Sequence, residues 1–316
     1  MHILTHCTRV KIMEDFEIKN RIKNSVKKKC LFCGANSIKA HSISKQRYLS
    51  NISENEHVYG LYREKGLGKL KKISTNDAST FYNFCKRCDD ILFDCLDNYA
   101  FVGTEKQIFM MYYRMLSAQI HQIKEEKIFF ENLNSDHQFS QEVSKRIKTL
   151  QIYLPKLENL NSMILNSMYD FFNFEIISYV GKINFVYFDI INILYDINGK
   201  KLADSNEVCF NVFSQNEMTY IVLIWENNND TFLKGYLEQL KSLSITDLQF
   251  YLTNLIAANN FNLFFRPSFY ENWKQKNYFN QLINFYASLY TNSETYFILY
   301  NVFLKSKNIN LFVENI

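Results

Sequence analysis

The chain has 316 residues, of which 47% are hydrophobic and 22% are charged, and its formal net charge is +4. This length leaves room for two or three domains with sizeable cores, and the composition excludes a wholly disordered chain. No apolar run approaches the roughly 18 residues of a membrane-spanning helix, and no apolar stretch of a secretory signal stands near the start. We therefore expect neither a membrane span nor export.

Cysteine count and charge distribution narrow the class of protein further. Seven cysteines, an odd number, without a secretory signal are typical of the reducing cytoplasm, where we expect this protein to be. Residues 1–100 hold 18 Lys and Arg against 11 Asp and Glu, so that this segment is basic. A basic segment attracts the phosphate backbone of nucleic acids, although runs such as Lys27–Lys29 are more often solvated surface.

Two Cys-x-x-Cys pairs dominate the first hundred residues. Cys30 and Cys33 form the first pair, and Cys85 and Cys88 form the second. Two such pairs in an intracellular chain are the usual ligands of a tetrahedral Zn²⁺ ion, since the two-residue gap lets both sulfurs reach one ion at about 2.3 Å. We therefore predict a structural zinc site. The alternative is that these are unrelated buried cysteines.

Local patterns predict the elements around the two pairs. The alternation near Ile38 predicts a short strand or hairpin that carries His41. A strand is also predicted over Ile3–Val10, and residues 45–80 are expected to form a loop because glycines punctuate them. The apolar spacing after the second pair predicts a helix that starts at Asp89.

The next segment predicts a long antiparallel helical hairpin. Apolar residues step by three and four through residues 104–132, and a heptad pattern runs from Val143 to Phe171. Pro155 should kink this second helix or end its first half. The apolar seams would pack inside the protein, or against a second copy or a partner protein.

The remainder of the chain predicts an α+β region. Residues rich in β-branched and aromatic side chains from Glu175 to Trp225 indicate three or four antiparallel strands, with a helix as an alternative near residues 188–195. Closing strands are expected over Tyr296–Phe303 and Ile309–Val313. Helical patterns cover Phe232–Leu243, Ile245–Ala258 and Asn277–Leu289.

The segments around the cysteine pairs resemble a group of bacterial zinc-knuckle proteins of the HNH type. In that group a histidine stands at the position of Cys88, an exchange that keeps a zinc ligand, and a glutamate stands at the position of Asp97. The matching segments are Ala40–Ile43, Ile52–Val58, Thr80–Phe81 and Phe84–Asp97.

The resemblance implies a treble-clef (ββα-metal) module with a catalytic histidine on its hairpin. His41 would activate water, and Asp89 and Asp97 on the helix would hold a Mg²⁺ or Mn²⁺ ion that polarises the scissile phosphate. His57 is a further candidate. The alternatives are a structural hydrogen bond for His41, loop packing for His57 and a helix cap for Asp89. Ala40 departs from the family, which carries an acid before this histidine.

These expectations combine into one architecture and two functional hypotheses. The fold is expected to be α+β, with a treble-clef zinc module over 1–100, an antiparallel helical hairpin over 101–173 and an antiparallel sheet with helices over 174–316. The first hypothesis is a metal-dependent endonuclease acting on DNA or RNA, and the resemblance implies a role as effector of bacterial anti-phage defence. The alternative is a non-catalytic, zinc-stabilised module that binds nucleic acid or protein, or acts as a sensor.

Overall fold

A computed structural model of the protein describes most of the chain as a mixed structure of helices and antiparallel sheets, which confirms the predicted α+β class. The strands predicted over Ile3–Val10 and Tyr296–Phe303, and nearly all of the helix predicted over Asn277–Leu289, lie outside the described residues. The described residues are 28–62, 69–133, 140–198, 200–227, 230–259, 262–277, 305 and 308–313.

The strands form two antiparallel sheets. They are β1 (Ile38–His41), β2 (His57–Tyr62), β3 (Lys69–Ser74), β4 (Thr80–Phe84), β5 (Phe172–Val180), β6 (Phe185–Tyr195), β7 (Lys201–Gln215), β8 (Met218–Glu226) and β9 (Leu263–Phe265). Strands β1 and β4 pair with each other, and the other seven form one sheet in the order β3-β2-β9-β6-β7-β8-β5.

The helices flank these sheets. They are α1 (Ser50–Ile52, preceded by a π-helical segment over Lys45–Leu49), α2 (Lys86–Leu92), α3 (Asp94–Asp97), α4 (Glu105–Leu133), α5 (Ser140–Leu165), α6 (Asp230–Ser242), α7 (Ile245–Ala258) and α8 (Pro267–Gln275). None of the helices in the described parts of the chain combines the length and the hydropathy that a membrane crossing requires.

The described residues between 45 and 80 do not form the predicted loop. Most of them lie in helical turns and in the β2–β3 hairpin, and β2 also pairs with β9, so the hairpin belongs to the C-terminal sheet. The sheet thus contains strands from both sides of the predicted boundaries at residues 100 and 173. Gly60 explains the failed prediction: a Cβ there would lie 2.6 Å from the Phe264 ring. This glycine permits close approach of β9 and does not mark a turn.

Helices α4 and α5 form the predicted antiparallel hairpin. Residues 107–117 of α4 are buried around the whole circumference, so this part of the helix is core on every side. Helix α5 continues through Pro155, so this residue does not end the first half of the helix, and the alternative of a kink stays a prediction. The heptad seam is only partly buried, because Ile147 is 38% exposed whereas Leu157 is 2% exposed.

Helix α5 is fixed to the sheet by a half-buried ionic cluster. The Nζ atom of Lys156 lies 2.9 Å from a carboxylate oxygen of Glu207 on β7 and 2.6 Å from one of Glu226 on β8. The hydroxyl of Tyr153 donates to Glu207 at 2.7 Å. One ammonium thus holds two carboxylates together, which ties the hairpin to the adjoining strands.

In the second half of the chain, one alternative raised by the sequence is excluded and one prediction was wrong. Residues 188–195 continue strand β6 and are not helical. Residues 309–313 do not form a strand but lie in turns held against α7, where the backbone N–H of Leu311 donates to Thr253 Oγ1 at 3.0 Å. Residues 309–312 are buried although they pair with no strand in the described part of the chain, and that burial explains the apolar pattern that suggested one.

A carboxylate joins the N-terminal segment to the start of α8. The Glu54 carboxylate accepts the backbone N–H of Ser268 at 2.9 Å and the Ser268 hydroxyl at 2.5 Å. The first N–H groups of a helix have no partner inside the helix, and negative charge is favourable there. Glu54 therefore supplies, from a distant segment, the cap that Arg266 at the N-cap position does not provide.

We expect Glu54→Ala to lower the free energy of unfolding by about 1 to 2 kcal/mol, the usual cost of losing a helix cap. Urea unfolding followed by circular dichroism measures this change. Glu158→Ala, at an exposed position on α5, is the matched control and should have little effect. Equal stability of the two variants would show that the Glu54 contact does not hold α8 in place.

Candidate zinc centre and its surroundings

The four predicted cysteines meet in space. The Sγ atoms of Cys30, Cys33, Cys85 and Cys88 all lie within 4.8 Å of one another, and those of Cys33 and Cys85 are 3.6 Å apart. A tetrahedral zinc–thiolate site with bonds of about 2.3 Å has sulfur–sulfur edges of about 3.8 Å. The cluster therefore fits a metal ion such as zinc, and it is the only group of three or more such ligands among the described residues.

The first cysteine pair lies on a tight turn. The backbone N–H of Cys30 donates to the carbonyl of Ala35 at 2.7 Å, and the N–H of Gly34 donates to the carbonyl of Cys30 at 2.9 Å. Gly34 has a φ of +75°, in the left-handed region that glycine adopts without steric cost. The glycine directly after Cys33 thus lets the chain turn both sulfurs toward one point.

The second pair lies at the N-terminus of α2. Cys85 is the N-cap residue, and its Sγ accepts the backbone N–H of Cys88 at 3.5 Å. This hydrogen bond lowers the pKa of Cys85 to about 7, whereas burial raises the pKa of Cys88. A lowered pKa favours the thiolate form of Cys85 that binds a metal ion, and a bound cation would keep the other thiols deprotonated as well.

The helical hairpin forms hydrogen bonds with the segment that carries the first cysteine pair. The side-chain amide of Asn161 on α5 donates to the carbonyl of Leu31 at 3.0 Å, and the hydroxyl of Tyr113 on α4 donates to Asn161 at 2.6 Å. The side-chain amide of Asn83 donates to the carbonyl of Ser117 on α4 at 2.5 Å. These contacts fix the turn between Cys30 and Cys33 against the core.

His41 lies at the end of β1, half-buried, with one ring nitrogen engaged. Its Nε2 atom is 2.9 Å from the carbonyl oxygen of Thr75. A carbonyl can only accept, so Nε2 carries the proton, and in the neutral ring Nδ1 keeps the lone pair. Burial lowers the pKa of His41, and the charges of Arg114 and Lys45 lower it further. The ring is therefore neutral at neutral pH.

Asp97 and Asp89 share a buried arginine. The guanidinium of Arg114 donates to both carboxylate oxygens of Asp97, at 2.9 and 2.5 Å, and lies 3.9 Å from Asp89. Burial disfavours the Asp97 carboxylate, but Arg114 outweighs burial and holds the pKa of Asp97 below its usual value. Burial raises the pKa of Asp89, whose Oδ1 atom has no hydrogen-bond partner among the described residues.

His57 lies apart from this group. It begins β2, and its Nδ1 atom is 2.6 Å from the carbonyl oxygen of Asn55 in the preceding turn. The ligand atoms of His41, Asp89, Asp97 and His57 do not gather into a cluster of potential metal ligands in the described part of the chain. The structure thus brings the cysteines together, but it does not gather the four candidate catalytic residues at one point.

Arg114 is the residue that the sequence predictions missed. It is 3% exposed, and its guanidinium also stacks on the Phe93 ring, with 4.1 Å between the Cζ atom and the ring centroid. A signal was present in the sequence: Arg114 is the only cationic residue between Lys106 and Lys124, in a strongly apolar helix. A lone cation on a buried helix requires an anionic partner, and Asp97 provides it.

Comparison of the chain with protein-family models, with curated proteins and with solved structures found no match. The resemblance to HNH-type proteins therefore stays a prediction. A function has to be inferred from the residues described above.

We expect the purified protein to hold one zinc ion per chain, because four sulfurs of suitable spacing line one site. Cys33→Ser should release the metal and lower the melting temperature, since metal-binding free energy contributes to folding. Cys95→Ser is the matched control, because Cys95 lies outside the cluster and should leave the zinc content unchanged. Elemental analysis of the three proteins measures this, and equal metal content in Cys33→Ser would contradict the site.

Proposed function

We propose that the protein is a metal-dependent nuclease of the HNH type, with His41 as the general base. The observation that supports this most strongly is the hydrogen bond from His41 Nε2 to the Thr75 carbonyl. That bond fixes the ring orientation and the tautomer, so that Nδ1 can accept a proton from an attacking water. The lowered pKa supports the same role, because a base must be unprotonated at the working pH.

The order of elements around the zinc centre also supports the proposal. The first cysteine pair is followed by strand β1, which pairs with β4, and α2 with the second cysteine pair comes directly after β4. A treble-clef module likewise has a first knuckle, a pair of antiparallel strands and then a helix, although here α1 and the β2–β3 pair lie between β1 and β4. His41 lies on β1, as the base of such a nuclease lies on the strand pair of its module.

The carboxylates of Asp89 and Asp97 give little support to a preformed Mg²⁺ or Mn²⁺ site. A bound divalent cation would polarise a scissile phosphate. Arg114, however, occupies both oxygens of Asp97, and its positive charge lies close to Asp89. We therefore assign Asp97 and Asp89 to the binding of Arg114 and assign no ligand of a catalytic cation among the described carboxylates.

A non-catalytic function is the second candidate, and the same contact favours it. The bond between His41 and Thr75 joins β1 to the turn after β3, so His41 can serve solely to hold the zinc module together. The protein would then be a zinc-stabilised module that binds nucleic acid or protein. The two candidates differ in whether the Nδ1 lone pair of His41 is needed.

We expect His41→Gln and His41→Ala to lower cleavage of DNA or RNA about 10²- to 10⁴-fold, the usual contribution of a general base. Glutamine is the informative variant, because its side-chain amide can still donate to the Thr75 carbonyl but is not a base. Cleavage is measured with single- and double-stranded substrates in Mg²⁺ or Mn²⁺, beside zinc content and melting temperature. Full activity in His41→Gln would refute the role as base, whereas loss in His41→Ala alone would indicate a structural role.

The pH dependence of cleavage gives a separate test. Because burial lowers the pKa of His41 below its ordinary value of 6.5, the base should already be unprotonated at neutral pH. The rate should rise with pH through a pKa below 6.5 and then level off. The residual activity of His41→Gln should lack this rise. A rise centred above neutral pH would exclude His41 as the titrating base.

A further inference from the structure

A polar cleft lies between the N-terminal segment and the large sheet, apart from the zinc centre. Its volume is about 330 Å³. Its walls come from the π-helical segment and α1, from the connection between β5 and β6, from the residues around the β7–β8 turn, and from the residue before α8. The residues that line the cleft include Gln46, Arg47, Lys182, Asn216, Glu217 and Arg266.

Two arginines in this cleft are held in place by neutral groups. Arg47 donates from Nε to the carbonyl of Asp97 at 3.3 Å and also donates to the carbonyl of Asn98. Arg266 donates from Nη2 to the carbonyl of Asn51 at 3.0 Å. In the described part of the chain, no carboxylate lies within ion-pair distance of either guanidinium. Both side chains are therefore oriented, but their charges are not cancelled.

The other charged residues of the cleft do not neutralise the positive charge of Arg47 and Arg266. Lys182 forms an ion pair with Glu217, so these two residues cancel each other. Carbonyl bonding leaves N–H groups of each guanidinium available, because an arginine carries five. Two oriented guanidiniums with spare donors are the arrangement that binds a phosphate, since the planar fork of arginine matches two phosphate oxygens. Exposed amides of Gln46 and Asn216 add neutral hydrogen-bonding groups.

We propose that this cleft binds a small phosphomonoester, with its phosphate on Arg47 and Arg266. A volume of about 330 Å³ lies near the lower end of the range for small-molecule sites, roughly 300 to 1,000 Å³. The cleft therefore suits a ligand of mononucleotide or sugar-phosphate size rather than a polymer strand. The proposal does not depend on the nuclease function, because neither His41 nor the zinc ligands line the cleft.

The test measures binding of AMP, adenosine and inorganic phosphate to the full-length, zinc-loaded protein by isothermal titration calorimetry. We expect saturable binding of AMP, weaker binding of phosphate and none of adenosine. Gln46→Glu should weaken AMP binding about tenfold or more, because it places a negative charge in the cleft without removing a contact that orients either arginine. Gln151→Glu, an equal change of charge at an exposed position on α5, is the matched control and should bind AMP normally.

A second variant, whose melting temperature is also measured, separates an effect on AMP binding from an effect on folding. Arg266→Gln should also weaken AMP binding about tenfold, with a melting temperature recorded beside it. Absence of saturable AMP and phosphate binding to the unaltered protein would overturn the proposal, as would equal weakening by Gln46→Glu and Gln151→Glu. Competition by a short single-stranded oligonucleotide that binds far more tightly than AMP would also overturn it, in favour of a nucleic-acid surface.

Discussion

Residues 107–117 of α4 are buried on every side, so each polar group that they carry must find a partner inside the protein. Gln107 donates to the carbonyls of Cys95 and Ala100, and the Ser117 carbonyl accepts from Asn83. Arg114 binds Asp97, at the end of the zinc module. The buried helix thus determines where the segments between the second cysteine pair and α4 lie, because few other arrangements would satisfy these groups.

The zinc module is consequently built into the rest of the protein. Ser42, next to His41, accepts a hydrogen bond from the side-chain amide of Asn262 at 3.1 Å, and Glu54 caps the helix that begins at Pro267. These residues lie in the segments on which the predicted resemblance to HNH-type proteins rests. Part of that shared pattern therefore serves to attach the C-terminal region and need not be explained by catalysis.

Features that depend on residues close together in the sequence could be predicted from it. The spacing of Cys30 and Cys33 predicts a knuckle because both sulfurs and the turn lie within a few residues, and heptad spacing predicts a helical hairpin for the same reason. The β2–β9 pairing could not be predicted, since it depends on Gly60 meeting Phe264. Thr75, which orients His41, could not be predicted either, because a backbone carbonyl has no sequence signal.

The surroundings of Arg114 and the polar cleft differ in the charges that face their arginines, and Asp97 contributes to both. Around Arg114, two carboxylates face one guanidinium, so this region attracts an anionic phosphate less than its arginine suggests. In the cleft, the guanidiniums of Arg47 and Arg266 bind neutral carbonyls and pair with no carboxylate among the described residues, which is why the phosphate site is proposed there. Asp97 belongs to both regions, because its carboxylate binds Arg114 while its backbone carbonyl accepts from Arg47.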